Sequence, residues 1–255
     1  MKLLVLGSGG TAPSKYRACS SFLLDGAILV DVGPGSVLNL RRFYGSTEEI
    51  DSVLITHLHG DHLFDFPSLI WAMASDGRKK PLEVYGPRGL SRVAGYLFAA
   101  ENRPTLMPSN FVNFEVKVRE VIPGESFDLA AYSVRTAAGV HPVEDLAYRV
   151  KGPGDETVTF SGDTSPAPSI TSLATGSDLL VHEATFLVGE ESMARSTGHS
   201  TAGEAGKAAK EAGVGFLVLS HVAPRLSGQE QKLEEQAEAA GVPAMVASDG
   251  LLIKV

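Results

Sequence analysis

One cysteine, Cys19, one tryptophan and 7% aromatic residues are what this 255-residue chain uses most sparingly. A single thiol cannot close an intrachain disulfide or build a cysteine-rich zinc site, so any metal must rest on His, Asp or Glu, and Cys19 is expected to be a small buried residue. Positive charge is also short. The 22 Lys and Arg face 30 Asp and Glu, a net charge of −8, which argues against sequence-blind binding to long nucleic acid through many phosphate contacts. A phosphate substrate is still admitted, because divalent ions at a site would reverse the local sign. No run of about 18 apolar residues could span a bilayer, and the opening MKLLVLGSGG reaches glycine too soon for a signal peptide. The expected location is therefore the cytoplasm, with no membrane partner. No repeat, low-complexity tract or linker interrupts the chain, so residues 1–255 are expected to form one domain.

Short apolar segments between glycines and prolines predict strands over 2–6, 20–24, 27–31 and 52–55, with Asp25-Gly26 turning a hairpin. Apolar residues at helical spacing predict helices over 63–75 and 89–100. A second series of strands is expected at 111–121, 132–136, 147–150, 157–160, 178–181, 216–220 and 243–246. A helix over 201–212 is expected between the strands at 178–181 and 216–220, capped by Ser200 or Thr201. The pattern predicts two sheets covered by helices.

Against this frame stands Thr56-His57-Leu58-His59-Gly60-Asp61-His62, three imidazoles and a carboxylate directly after a strand. Near pH 7 imidazole is largely neutral and carboxylate ionised, which is what a divalent cation requires of them, so H-x-H-x-D-H can supply two adjacent ions. The plain alternative is a solvated polar loop. Of the seven histidines, His141 and His221 sit at expected strand ends, as does Asp163, and ligands on several strand ends can converge. Mixed His and carboxylate donors suit zinc, manganese or iron alike. His182 reads as a structural, hydrogen-bonded histidine, and Asp31 and Asp249 either as buttresses of metal-bound histidines or as turn residues. Gly7-Ser8-Gly9-Gly10-Thr11-Ala12 loosely fits a dinucleotide fingerprint, but Pro13 and the following hairpin do not supply the helix that such a site needs. Arg78-Lys79-Lys80 with Arg88 and Arg92 reads as a solvated basic run.

THLHGDH, Val140-His141, Ser161-Gly162-Asp163-Thr164 and Leu219-Ser220-His221 together resemble the successive metal motifs of the metallo-β-lactamase fold superfamily. Several segments are similar to the ribonuclease Z subgroup in particular: Leu63-Phe64-Asp65-Phe66-Pro67, His182-Glu183-Ala184-Thr185-Phe186, Gly198-His199-Ser200-Thr201-Ala202, and Leu6-Gly7-Ser8-Gly9-Gly10 with Ser20-Ser21. The resemblance implies an α/β fold, a four-layer αββα sandwich with its metal site at one edge of the two sheets. It implies one ion, most readily zinc, on His57, His59 and His141, a second on Asp61, His62 and His221, and Asp163 bridging them. It also implies catalytic roles for Asp61 as proton acceptor and for His199 paired with Glu183, and a homodimer. For GHST the bland reading is a helix cap with an incidental histidine.

The resemblance thins at one place. Short bacterial ribonucleases Z carry a tRNA-gripping arm between the third and fourth metal motifs, but 22 positions separate His141 from Asp163 here, and expected strands occupy much of them. Ala223 in His221-Val222-Ala223-Pro224 stands where serine is more usual. The expectation is a binuclear-metal phosphodiesterase acting on a small or short phosphodiester, a cyclic nucleotide or an RNA or oligonucleotide end. Three alternatives stand beside it. One is tRNA 3′ processing with the arm supplied by a partner or by residues 111–120. Another is hydrolysis of a lactam, lactone or thioester, and the last is a non-catalytic metal-binding module.

Overall fold

A computed structural model of the chain describes residues 1–98 and 112–255. Its strands begin with β1 (Lys2–Gly7), β2 (Ser21–Leu24), β3 (Ile28–Val30) and β4 (Ser52–Leu54), and each buries both faces. Leu3, Val5, Phe22, Leu24, Ile28, Val30 and Leu54 point into one apolar cluster, whereas Leu4, Leu6, Leu23, Leu29 and Val53 point into another. Strict alternation across a pleated strand sends neighbours to opposite faces, so these strands must lie between two covering layers.

Between β3 and β4 lies α1 (Ser36–Phe43); after β4 come α2 (Gly60–Leu63), α3 (Phe66–Ser75), β5 (Leu82–Gly86), α4 (Leu90–Phe98) and β6 (Val116–Glu120). The second half contains β7 (Ser126–Leu129), β8 (Tyr132–Ala138), β9 (Leu146–Lys151), β10 (Thr157–Phe160), α5 (Pro168–Leu173), β11 (Leu179–Glu183), α6 (Glu191–Thr197), α7 (Ala202–Ala212) and β12 (Phe216–Ser220). It closes with a 3-10 turn (Pro224–Leu226), α8 (Glu230–Glu238), β13 (Ala244–Val246) and β14 (Leu252–Lys254). Two seven-stranded sheets result, ordered β14-β1-β2-β3-β4-β5-β6 and β13-β12-β11-β10-β9-β8-β7. In each, one half is antiparallel and the β3–β6 or β10–β13 half is parallel.

Phe22, Tyr148, Val158 and Phe160 fill the space between the sheets, with the Phe22 and Phe160 rings 5.6 Å apart. Leu40 of α1 and Phe66, Leu69, Ile70 and Met73 of α3 cover the outside of the first sheet, while Ala202, Ala205 and Ala209 of α7 and Leu233 of α8 cover the second. Each fully buried leucine or phenylalanine contributes about 1.5–3 kcal/mol. The layers are therefore αββα, as the resemblance implied.

The expected helix over 63–75 is divided. Asp65 leaves the helical path and its Oδ2 accepts hydrogen bonds from the backbone N–H of Gly35 (3.1 Å) and Val37 (3.0 Å), capping α1 from outside. The capping of α7 falls to Thr201, in a capping box with Glu204. Arg78 is a correction: it is buried, donating to the carbonyls of Ile50 (2.7 Å), Pro81 (2.7 Å) and Lys80 (2.9 Å) beneath the Phe114 ring. Residues 116–120, a candidate substitute arm, are the edge strand β6 paired to β5. Phe111 and the end of the 89–100 segment lie outside the described residues. No helix among the described residues is long and apolar enough to cross a membrane.

Candidate metal centre

The parallel halves of both sheets end at the same edge, and each functional side chain follows a strand terminus. Asp31 follows β3, the histidine turn follows β4, Asp163 follows β10, Glu183 ends β11 and His221 follows β12. His141 lies three residues beyond β8, in a loop rather than on the expected strand end. The two edges are joined by Leu146 N–H to the Thr56 carbonyl (2.9 Å) and Tyr148 O–H to the Ile55 carbonyl (2.8 Å). Gly7 starts no dinucleotide loop: a Cβ there would collide with the Cys19 carbonyl, and Gly9 bridges to Cys19 and Val222.

His59 Nδ1 lies 3.1 Å from both His57 Nε2 and His141 Nε2. The far nitrogens are already used. His57 Nδ1 is 2.9 Å from Asp145 Oδ2, and His141 Nδ1 is 2.9 Å from the Gly198 carbonyl. A carbonyl only accepts, so His141 Nδ1 carries the proton and its Nε2 presents a lone pair to the centre.

A second set adjoins the first. His62 Nδ1 is held 2.7 Å from Asp31 Oδ2, which leaves Nε2 buried with no hydrogen-bond partner, 3.5 Å from Asp163 Oδ2 and 3.8 Å from Asp61 Oδ2. His221 Nε2 is 3.2 Å from Asp163 Oδ2 and 3.3 Å from Asp61 Oδ2, and its Nδ1 lies 2.8 Å from Thr185 Oγ1. Asp163 Oδ2 is also 3.8 Å from His57 Nε2, between the two sets. Four donor groups, Asp61, His62, Asp163 and His221, thus face one point, and His57, His59 and His141 face another. An orphaned buried imidazole nitrogen aimed at two carboxylates is the arrangement a divalent cation completes, and the donor set fits one at each point.

Burial drives the His57 pKa down to about 3, and burial also lowers that of His141, so both rings are neutral at physiological pH. For His62 burial opposes charge, but the Asp163 and Asp31 carboxylates outweigh it and hold the group well above its ordinary value. Burial would raise Asp163, yet His221 and His62 hold it well below the usual carboxylate range; Asp61 is likewise lowered, against burial, by its His221 hydrogen bond. Asp145, buried and facing Asp163, is pushed well up.

His199 stands beside the second set, its ring stacked 5.2 Å from that of His221. Its Nδ1 is 2.9 Å from Glu183 Oε1, a contact that raises its pKa against the effect of burial. Glu183 also accepts from the backbone N–H of Thr164, Ser200 and Thr185, each at 3.1 Å, and from Thr185 Oγ1 at 2.7 Å. His221 adopts a left-handed backbone (φ 55°), as does Asp31 (φ 58°), which also accepts from Thr56 N–H and Oγ1. Strain of this kind is held only where surroundings enforce it.

Every residue read from the sequence as a metal donor is thus drawn into one of the two sets, and His199 and Glu183 lie against them. His182 takes no part: buried, it is 2.8 Å from the Glu183 carbonyl through Nδ1. Asp31 buttresses His62. Asp249 does not touch a histidine but ties Ser8, Ala18 and Asn39 together. Asp145, Thr185 and the Gly198 carbonyl were not singled out in the sequence. Asp145 lies four positions after His141, and Thr185 and Gly198 lie within segments quoted for the resemblance, but none of the three was given a part in orienting a histidine.

Residues 27–222 match a family model described as a beta-lactamase superfamily domain. A ribonuclease Z of Methanothermobacter thermautotrophicus is 32% identical over 92% of this chain and 90% of its own. One from Haloferax volcanii is 32% identical over 310 aligned positions, covering 100% of this chain and 95% of its own. The crystal structure of human tRNase Z, short form, is similar at 26% identity and a TM-score of 0.83, covering 100% of this chain and 99% of that one.

Proposed function

The chain belongs to the beta-lactamase superfamily and is a metal-dependent hydrolase of ribonuclease-Z-like type, and from that premise we propose that it cleaves a small or short phosphodiester, a cyclic nucleotide or an oligonucleotide end, with two divalent ions. The observation that carries this reading is a pair of adjacent donor sets, His57/His59/His141 and Asp61/His62/His221, with Asp163 Oδ2 between them. Zinc is the first choice for both, with manganese or iron next. When bound, such ions acidify water and stabilise charge on phosphoryl oxygens. The protein supplies the rest. Asp61, half-buried at the open side, accepts the proton of the attacking water. His199 donates from Nε2 to the departing or non-bridging oxygen, and Glu183 holds its Nδ1–H and favours its charged form.

The preference for a small substrate rests on β9 and β10. They pair as a hairpin closed by Gly152 N–H to the Glu156 carbonyl (2.9 Å), beside Met1 and far from the metal edge, with no arm between them. Alignment to the Haloferax relative needs 310 positions for this 255-residue chain, consistent with segments that this chain lacks. The names of the relatives favour a second reading, maturation of tRNA 3′ ends. We also propose a single domain, a cytoplasmic location and a homodimer.

Metal analysis of purified protein should give two equivalents, lost with a chelator along with turnover. Metal-loaded protein should hydrolyse bis(p-nitrophenyl) phosphate and a cyclic mononucleotide, and leave nitrocefin and an acyl-glutathione thioester intact. Site-specific cleavage of precursor tRNA more efficient than either small substrate would overturn the small-substrate preference, and turnover confined to the lactam or thioester would overturn phosphodiesterase activity altogether.

A further inference from the structure

Phe64 is 74% exposed and belongs to none of the apolar clusters, while Phe66, two residues on, is fully buried in the core. Nothing in the packing explains why a phenyl ring is left in water at that position. Its placement is specific. Phe64 closes α2, its N–H bonded to the Gly60 carbonyl at 2.8 Å, and it lies one turn beyond His59, Gly60 and Asp61, the half-buried residues at the open side of the metal centre. Helical side chains three and four apart share a face and lean toward the N-terminus, so the ring lies over Gly60 beside Asp61. Gly60 makes room for it: a Cβ there would fall 2.7 Å from Phe64 Cδ2.

We propose that Phe64 is a specificity-determining residue whose exposed ring stacks on the nucleobase next to the scissile phosphate. The inference rests on the phosphodiesterase reading above. The Phe64 Cα is about 4.5 Å of helical rise beyond that of Asp61 and its ring leans back over Gly60, within one nucleotide of a phosphorus atom held at the donor sets. An aromatic platform accepts every base, which suits a chain with few cations for gripping a backbone.

The test compares two esters with one leaving group, thymidine 5′-(p-nitrophenyl phosphate) and methyl p-nitrophenyl phosphate, on metal-loaded protein. The ratio of their kcat/KM values should fall roughly five- to hundredfold in Phe64→Ala and Phe64→Leu, mainly through KM for the thymidine ester, and return in Phe64→Trp. Independently of turnover, thymidine 5′-monophosphate should quench the emission of Phe64→Trp more than that of the wild type, which contains Trp71. An unchanged ratio in Phe64→Ala, or equal quenching in both proteins, would overturn the stacking role. So would a Phe64→Ala variant altered only in sedimentation mass, which would assign the ring to contact between copies of the chain. Wild-type protein inert toward both esters, with the emission of Phe64→Trp still quenched as expected, would sink the catalytic reading and not this one.

Discussion

Glu183→Gln removes one charge and almost no volume, and the hydrogen bonds of Glu183 fix what should follow. Oε1 accepts from Thr164 N–H, Ser200 N–H and His199 Nδ1, and Oε2 from Thr185 N–H and Oγ1. All these partners are donors, so the amide NH2 of glutamine must face at least one of them. The less costly orientation puts it toward Thr185, whose hydroxyl can turn but whose N–H cannot. One buried backbone donor is then unmet, at about 1–3 kcal/mol, and the charge-assisted bond to His199 is weakened by a further ~1 kcal/mol. For a chain of this size the sum corresponds to a fall in Tm of roughly 4–16 °C. Calorimetry of metal-loaded Glu183→Gln should show that fall with unchanged metal content, and kcat should drop at least tenfold as His199 loses its anionic partner. The double variant with His199→Ala should be no slower than His199→Ala alone, because the two residues act as a unit. A Tm within 1 °C and kcat within twofold of wild type would refute the reasoning.

His199→Ala by itself should lower phosphodiesterase turnover by about a hundredfold or more with metal content intact, as plasma emission spectrometry would report; unaltered turnover would remove it from the chemistry. Cys19, fully buried and pushed up to about 12 chiefly by burial, carries no thiolate at pH 8, so Ellman's reagent should find no thiol in the native protein and one after unfolding in guanidinium. Thr201→Ala opens the capping box of α7 and should cost about 1 kcal/mol, read as a Tm lowered by roughly 2–4 °C with kcat held.

Strands whose side chains alternate between two cores, such as Lys2–Gly7, were legible because their burial is written in their own residues, and THLHGDH was legible because its chemistry is packed into one turn. Helix α1 was not. Its N-cap position is Gly35, with no side-chain cap, and the capping oxygen comes from Asp65 across the fold. Arg78 looked like part of a charged run because sequence cannot show three carbonyls waiting for its guanidinium. At the centre, the donors themselves could be named, but not what orients them. Asp145, Thr185 and the Gly198 carbonyl reach the rings of His57, His221 and His141 only through tertiary packing.

The turn joining β9 to β10 has a wider consequence. It closes a hairpin already in register from Thr157 opposite Lys151 to Phe160 opposite Tyr148, at the pole away from the reaction edge. Lengthening a closed loop costs only about 0.6 kcal/mol per doubling, so a recognition appendage could be grafted on or shed there without repacking a single core side chain. Grip on a large substrate can, in this architecture, be gained or lost without touching the residues around the metal centre.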